Sequence, residues 1–428
     1  MRIGLFTDTY HPASNGVVVG VDSMRACLEE MGHDVFILAP DGGVVHNRLP
    51  DEPGVIRLPA IQYDLQLSLF FPPAILKRIK ALDLDIIQFF TPAQIGLAAT
   101  WAARRLGIVL VGKHSTDTYD YIKIYPAMAI SYVFGGFLAP FVVPRTPRNV
   151  RIFTKLYMTS RGKNKDESWT QRLVAGLMSL LYSSCDAVVA PSRKSANQLA
   201  GFAAREGIDL DLRVIPDGVD LLAPADPGDV ARFRERWGIA EDDEVVVNFG
   251  RMAEEKNQLV LLRMMPLLLE THPKAKLLLA GDYVYRGKLE QIAASSSAAD
   301  RIIFTGRYER DQLGTICAVS KVFAFPSVED TQGFVLNEAA GLGLPIVMCD
   351  HDLNDVFADD VNGLMATNSA RDFAEKVGRL FDDDALRTRF AEQGVKLAQN
   401  FTVRRQMDQL VALFQELLDG KVASCESD

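Results

Sequence analysis

Apolar positions along the chain fall into short continuous runs separated by stretches of helical spacing. Arg2 to Thr7 is a mostly apolar run of strand length, and Asp34 to Leu38 repeats it. Between them Val17, Val21, Met24, Leu28 and Met31 recur near helical spacing over Gly16 to Met31. Gly32 stands where a helix ends, because glycine accepts the left-handed conformation that closes one. Strand, helix and strand predict a βαβ unit, hence a parallel sheet with right-handed crossovers. The alternation continues with strands at Asp85 to Phe89 and Ile108 to Gly112 around a helix from Gln94 to Leu106. Strands at Ala187 to Ala190 and Arg213 to Ile215 flank a further helix from Ser192 to Glu206. A doubly wound domain over 1–213 is expected, with the Pro- and Asp-containing stretch 214–229 as linker.

A second alternating series begins beyond it. Strands are expected at Val245 to Phe249, Lys276 to Ala280, Arg301 to Thr305 and Lys321 to Phe325, with helices at Gln258 to Leu269 and Asp311 to Ser320. These mark a second domain over 230–402. Ala385 to Gln399 and Val403 to Leu418 read as closing helices, Asp384 capping the first, with the tail from Lys421 frayed. At 428 residues two domains are also what chain length suggests.

The stretch Phe325 to Val347, FPSVEDTQGFVLNEAAGLGLPIV, carries the most chemistry. It reads as a strand end, an acidic loop, a glycine, a helix and a second strand. With Gly333 opening the helix, the amides of Gly333, Phe334 and Val335 precede any helical partner and make an anion site with the helix dipole. Asp330 lies before this helix and Glu338 within it. Carboxylates on either side of an anion site suit the hydroxyls attached to an anion, such as a sugar and a ribose. A nucleotide sugar has that layout. Upstream, Gly250, Arg251 and Lys256 follow a strand in GRMAEEK, a spacing that lets both cations converge on one anion.

Bulk properties remove competing classes. A net charge of −9 opposes nucleic-acid binding, since there is no cationic excess to neutralise phosphates. The five cysteines (27, 185, 317, 349, 425) form no metal or disulfide pattern and read as reduced thiols of a cytoplasmic protein. The opening MRIGLFTD enters a strand directly, which predicts no signal peptide. No G-x-G-x-x-G or Walker sequence is present, which disfavours dehydrogenase or kinase chemistry.

Asp330, Gly333, Phe334, Val335, Glu338, Ala339, Ala340, Gly343, Pro345, Ile346 and Val347 resemble the E-x7-E signature of the retaining family 4 glycosyltransferases. Asp330 stands where that family usually has glutamate. Gly250, Arg251 and Lys256 are similar to its G-R-x4-K motif, and Val214 to Asp220 (VIPDGVD) to the segment joining its two halves. Asn15-Gly16 resembles its glycine-containing loop at the donor phosphates. The resemblance implies a GT-B fold: two Rossmann-like α/β domains facing a cleft, the last helix (403–418) crossing back onto the N-terminal, acceptor-binding domain. It also implies a UDP-sugar or GDP-sugar donor as substrate, no cofactor and no metal, so Asp83-Leu84-Asp85 is read as the lead into a strand. By it, Arg251 and Lys256 hold the diphosphate, Asp330 the sugar hydroxyls and Glu338 the ribose, with Gly16, Gly250, Gly333, Phe334 and Val335 lining the donor.

His114 to Tyr121, HSTDTYDY, resembles the lipid-glycosylating branch (diacylglycerol glucosyltransferase or phosphatidylinositol mannosyltransferase-like), placing His114 near the reacting sugar and Tyr121 in the acceptor pocket. Ile124 to Pro144 follows with no charge, and residues 145–172 then carry eight Lys/Arg against Asp166 and Glu167. An apolar segment beside a basic cluster, with Arg148, Arg151 and Lys155 at its start, is how a peripheral protein seats itself on anionic lipid. The other reading of 124–172 is an apolar helix buried beside a solvated loop. The expectation is a hexosyltransferase of glycolipid biosynthesis, peripheral on the inner face of the membrane. The alternatives are the same chemistry on a soluble acceptor, a GT-B nucleotide-sugar epimerase, or a non-catalytic sugar-nucleotide sensor.

Overall fold

The computed structural model describes residues 1–12, 16–41, 52–58, 73–114, 119, 142–158, 168–220, 222–353 and 355–426. They form two compact units, Met1–Pro216 together with Val403–Asp428, and Asp217–Thr402. Asn15, Tyr121 and all but the last three residues of the uncharged segment 124–144 lie outside the described residues, as do Arg161, Lys163 and Lys165.

In the first unit β1 (Arg2–Phe6), α1 (Gly16–Glu30) and β2 (Asp34–Pro40) form the expected βαβ unit, Arg2 registering with Asp34 and Phe6 with Leu38. The series continues through β3 (Val55–Leu58), α2 (Pro73–Ala81), β4 (Ile86–Phe89), α3 (Gln94–Leu106) and β5 (Val109–Lys113). It closes with α4 (Pro147–Met158), α5 (Trp169–Tyr182), β6 (Ala187–Ala190), α6 (Arg193–Arg205) and β7 (Leu212–Val214). All pairings are parallel in the order β3-β2-β1-β4-β5-β6-β7. Successive residues serve opposite cores: Ile86 packs with Ile3 and Leu5, while Ile87 and Phe89 pack with Val174 and Tyr182. That alternation is why the strands read as continuous apolar runs.

The second unit runs α7 (Pro227–Trp237), β8 (Glu244–Phe249), α8 (Leu259–Leu269), β9 (Ala275–Ala280), α9 (Arg286–Ala294) and β10 (Ile302–Gly306). Then follow α10 (Leu313–Ala318), β11 (Val322–Phe325), α11 (Phe334–Gly341), β12 (Ile346–Met348), β13 (Gly363–Met365), α12 (Ala370–Asp382) and α13 (Asp384–Ala398). Its parallel sheet has the order β10-β9-β8-β11-β12-β13. The last helix, α14 (Val403–Glu426), belongs to the first unit, where Met407, Leu410 and Phe414 share a core with Ile3, Val18 and Leu28.

Three boundaries correct the sequence reading. The stretch 214–229 is divided: Val214 ends β7, the second unit begins at Asp217, and Pro227 already opens α7. Asp226 caps that helix by accepting from Gly228 N at 2.8 Å, with proline at the first turn as helix starts favour. The cap of α13 is Asp383, not Asp384: its extended backbone lets the carboxylate accept from Leu386 N at 2.8 Å. Residues from Lys421 continue α14 to Glu426.

Candidate active site

Strands β8 and β11 are neighbours, yet the chain runs outward from them in opposite directions. Their carboxyl ends therefore flank a topological switch point, where open parallel sheets take ligands. Gly250 and Arg251 leave β8 there, and Asp330 and Gly333 follow β11. The approach depends on glycine. Gly281, beyond β9, has φ 143°, and a Cβ on it would lie 1.9 Å from the carbonyl oxygen of Gly250. At Gly250, φ 129°, a Cβ would come within 3.6 Å of Val335 Cγ1, so this turn lies close to the start of α11.

Lys256 ends a 3₁₀ turn, Glu254–Lys256, and its ammonium is ion-paired with Asp330. Both side chains are mostly buried, at 20% and 13% exposure. Arg251 Nη2 lies 3.3 Å from Glu255 Oε1, whose side chain is almost wholly buried, and its guanidinium covers the Tyr283 ring 5.1 Å from the centroid. The two cations thus engage different carboxylates. Gln258 Nε2 donates to the Arg251 carbonyl at 3.0 Å, and Asn257 Nδ2 to that of Pro326 at 3.0 Å, tying the β8 loop to the β11 loop.

Gly333 is the N-cap of α11 with φ 72°, and the first helical bond runs from Leu336 N to its carbonyl at 2.9 Å. The amides of Gly333, Phe334 and Val335 precede that bond. Gln332 clamps the turn at Asp217, accepting from its N–H at 2.8 Å and donating to its carbonyl at 2.7 Å.

Glu338, one turn into α11, has other neighbours. Arg310 Nη2 stands 3.8 Å from its Oε1, and burial pushes the Glu338 carboxyl up to about 7 against the pull of Arg310. Asp83 and Asp85 lie at the opposite edge of their sheet, where Asp85 accepts from Arg2 N at 2.7 Å.

In the first unit the switch point falls between β1 and β4. Asp8, just past β1, accepts from Thr91 Oγ1 and from Ile95 N at 2.9 Å, joining the loops after both strands. Its burial raises the carboxyl to about 6. His114, after β5, is 1% exposed, and burial lowers its imidazole to about 4, so it is neutral at physiological pH. Its Nδ1 is 3.5 Å from Tyr182 Oη, which donates to the Lys113 carbonyl at 3.0 Å. Its Nε2 has no hydrogen-bond partner among the described residues.

Arg148, Arg151 and Lys155 are exposed on α4, and Lys155 is paired with Glu206 at 2.8 Å. Beside them Val143, Val150, Phe153 and Leu180 line an apolar recess. Tyr119 packs on Phe202, ring centroids 4.6 Å apart.

The sequence reading did not single out Gln332, Tyr283, Arg310, Tyr182 or Asp8. Two of them had a local signal nearby: Ser168 and Gln171 form the capping box that starts the helix of Tyr182, and Glu309 and Gln312 form one around Arg310.

Models of two families match the chain: Glycosyltransferase Family 4 over residues 14–221 and Glycosyl transferases group 1 over residues 229–397. Among curated proteins it is 27% identical over 374 residues to an alpha-monoglucosyldiacylglycerol synthase of Streptococcus pneumoniae, covering 85% of this chain and 75% of that one. It is 25% identical over 357 residues to a GDP-mannose-dependent alpha-mannosyltransferase of Mycolicibacterium smegmatis, covering 82% and 80%. In fold it is similar to a sucrose-phosphate synthase from Thermosynechococcus elongatus, with a TM-score of 0.68 at 17% identity over 98% of this chain and 99% of that one.

Proposed function

Because the chain belongs to the GT-B glycosyltransferases of family 4, we propose that it moves a hexosyl group, with retention, from a nucleoside diphosphate sugar to a membrane lipid hydroxyl. The observation that carries this is the Lys256–Asp330 pair at the mouth of α11, beside Arg251. Breaking the bond from C1 to phosphate oxygen sends its electron pair to the nucleoside diphosphate. Arg251, Lys256 and the amides after Gly333 receive that charge, each such positioned group supplying roughly 10²–10³-fold. The acceptor oxygen bonds to C1 on the face the diphosphate leaves, and its proton passes to the departing phosphate.

Asp330 holds Lys256 in place and accepts from the sugar hydroxyls, while Glu338 accepts from the ribose. His114, neutral and with Nε2 free among the described residues to meet a hydroxyl, orients the reacting sugar. No residue of this scheme requires a metal or cofactor.

A lipid acceptor is supported by the relative named as a diacylglycerol glycolipid synthase and by Arg148 and Arg151 exposed beside the apolar recess. Among the described residues no helix is long and apolar enough to cross a membrane. Peripheral attachment on the cytoplasmic face is part of this proposal and rests on the exposed basic residues of α4 beside the apolar recess. The test is incubation with UDP-glucose or GDP-mannose and vesicles containing diacylglycerol or phosphatidylinositol, followed by product analysis. An α-linked glycolipid is expected; glycosylation of soluble polyols alone would overturn the lipid assignment.

A further inference from the structure

We infer that Arg310 is a positioning residue for Glu338, orienting its carboxylate toward the ribose hydroxyls of the donor and balancing its charge. This rests on the reading of Glu338 given above. Arg310 lies in the 3₁₀ turn Arg310–Gln312 that leads into α10. Its Nη2 donates to the Asp220 carbonyl at 3.4 Å and stands at ion-pair distance, 3.8 Å, from Glu338 Oε1 in the same unit. It thereby spans from the turn that opens the unit to the middle of α11. Its Nε is buried with no hydrogen-bond partner among the described residues.

The remaining groups facing Glu338 do not offer a cation. Tyr308 and Cys317 are driven to higher values by burial first and by the Glu338 charge second, so both stay neutral. Asp220 lines the same small recess as Glu338 and adds only negative charge. Arg310 is therefore the one opposite charge set against this carboxylate among the described residues. A carboxylate accepts from two ribose hydroxyls at once, whereas its protonated form must give one acceptor site to its own proton. Burial alone favours the protonated form, and Arg310 opposes it.

The sign of the consequence is fixed. Donor binding that prefers the ionised form weakens as pH falls through the Glu338 value. Without Arg310 that value rises, so the weakening begins at higher pH.

The experiment is calorimetric titration of the full chain with UDP-glucose and GDP-mannose between pH 5.5 and 9. A nucleotide sugar has no second phosphate ionisation in this range, unlike free UDP or GDP. For the wild type, affinity is expected to fall about tenfold per pH unit below about 7. Arg310→Met should move the inflection up by about one unit and recover to within about threefold of wild type at pH 9. Arg310→Lys, which keeps the charge, should leave the inflection near the wild-type position and serves if the Met variant fails to fold.

An Arg310→Met loss that is the same at every pH, or an unmoved inflection, overturns the inference. Glu338→Gln separates the two layers, since it should bind weakly with no pH dependence. If it binds as wild type does, the ribose role of Glu338 is what fails.

Discussion

The ammonium of Lys256 is bonded to the carboxylate of Asp330 across the carboxyl ends of two adjacent strands. The pair fixes a flexible lysine against the loop that precedes α11, and it joins two motifs far apart in the chain. Lys256→Ala removes the cation and leaves a mostly buried carboxylate without its counter-ion. A fall in kcat of about 10²–10³-fold is expected, equivalent to about 2.7–4 kcal/mol, with the circular dichroism of the folded protein retained. A near-normal kcat would show that the leaving group is stabilised elsewhere.

Glu338 also leaves a mark on stability. Its carboxyl is raised from its ordinary 4.5 to about 7, chiefly by burial, so the folded state binds that proton more tightly than the unfolded chain. This contribution is complete below pH 4.5 and is lost as pH rises to about 7. Glu338→Gln should therefore melt higher than wild type at pH 8, by up to about 3 kcal/mol, and match it near pH 4.5. Equal melting curves at pH 8 would contradict the burial argument.

Tyr182 has one hydroxyl proton, and it is donated to the Lys113 carbonyl. Toward His114 it can only accept, so the neutral imidazole carries its proton on Nδ1 and presents Nε2 as an acceptor. Nitrogen-15 spectra of labelled histidine should show this tautomer for His114, and Tyr182→Phe should erode it. A wild-type signal with the proton on Nε2 would refute the assignment.

Membrane attachment should be unequal along α4. Arg148 and Arg151 are exposed, whereas Lys155 is offset by Glu206. Charge reversal at Arg148 and Arg151 should cost about 1 kcal/mol or more each in sedimentation with anionic vesicles, and Lys155→Ala much less. Binding indifferent to the double reversal would end the anionic-surface idea.

Gly281→Ala puts a methyl group into the Gly250 carbonyl at a backbone angle that only glycine tolerates well. A loss of several kcal/mol is expected, read as a lowered melting temperature. A stable variant would mean that the turn carrying Arg251 can shift freely.

Local residue order determined most of the strands and the helices with clean periodicity. The apolar runs Ala187–Ala190 and Val322–Phe325 and the helix Gln94–Leu106 are complete in the text of the chain, because a buried parallel strand needs only a short β-rich run. The spacing of Arg251, Lys256, Asp330 and Glu338 was equally visible. Cap geometry was not: Asp383 and Asp384 are alike in composition, and only backbone direction chooses between them. Helix α5 escaped because its apolar residues cover most of its surface, which blurs the 3.6-residue period.

What tertiary structure alone decided is which charges meet. Lys256 has Glu254 and Glu255 beside it in sequence, yet it pairs with Asp330, because strand order places β11 next to β8. Arg310 reaches Glu338 for a similar reason, and Tyr182 reaches His114 through the packing of α5 against β5. Sequence spacing sets which residues can share a face of one element. Partners on different elements are chosen by how the sheet is ordered, and no periodicity within either element records that.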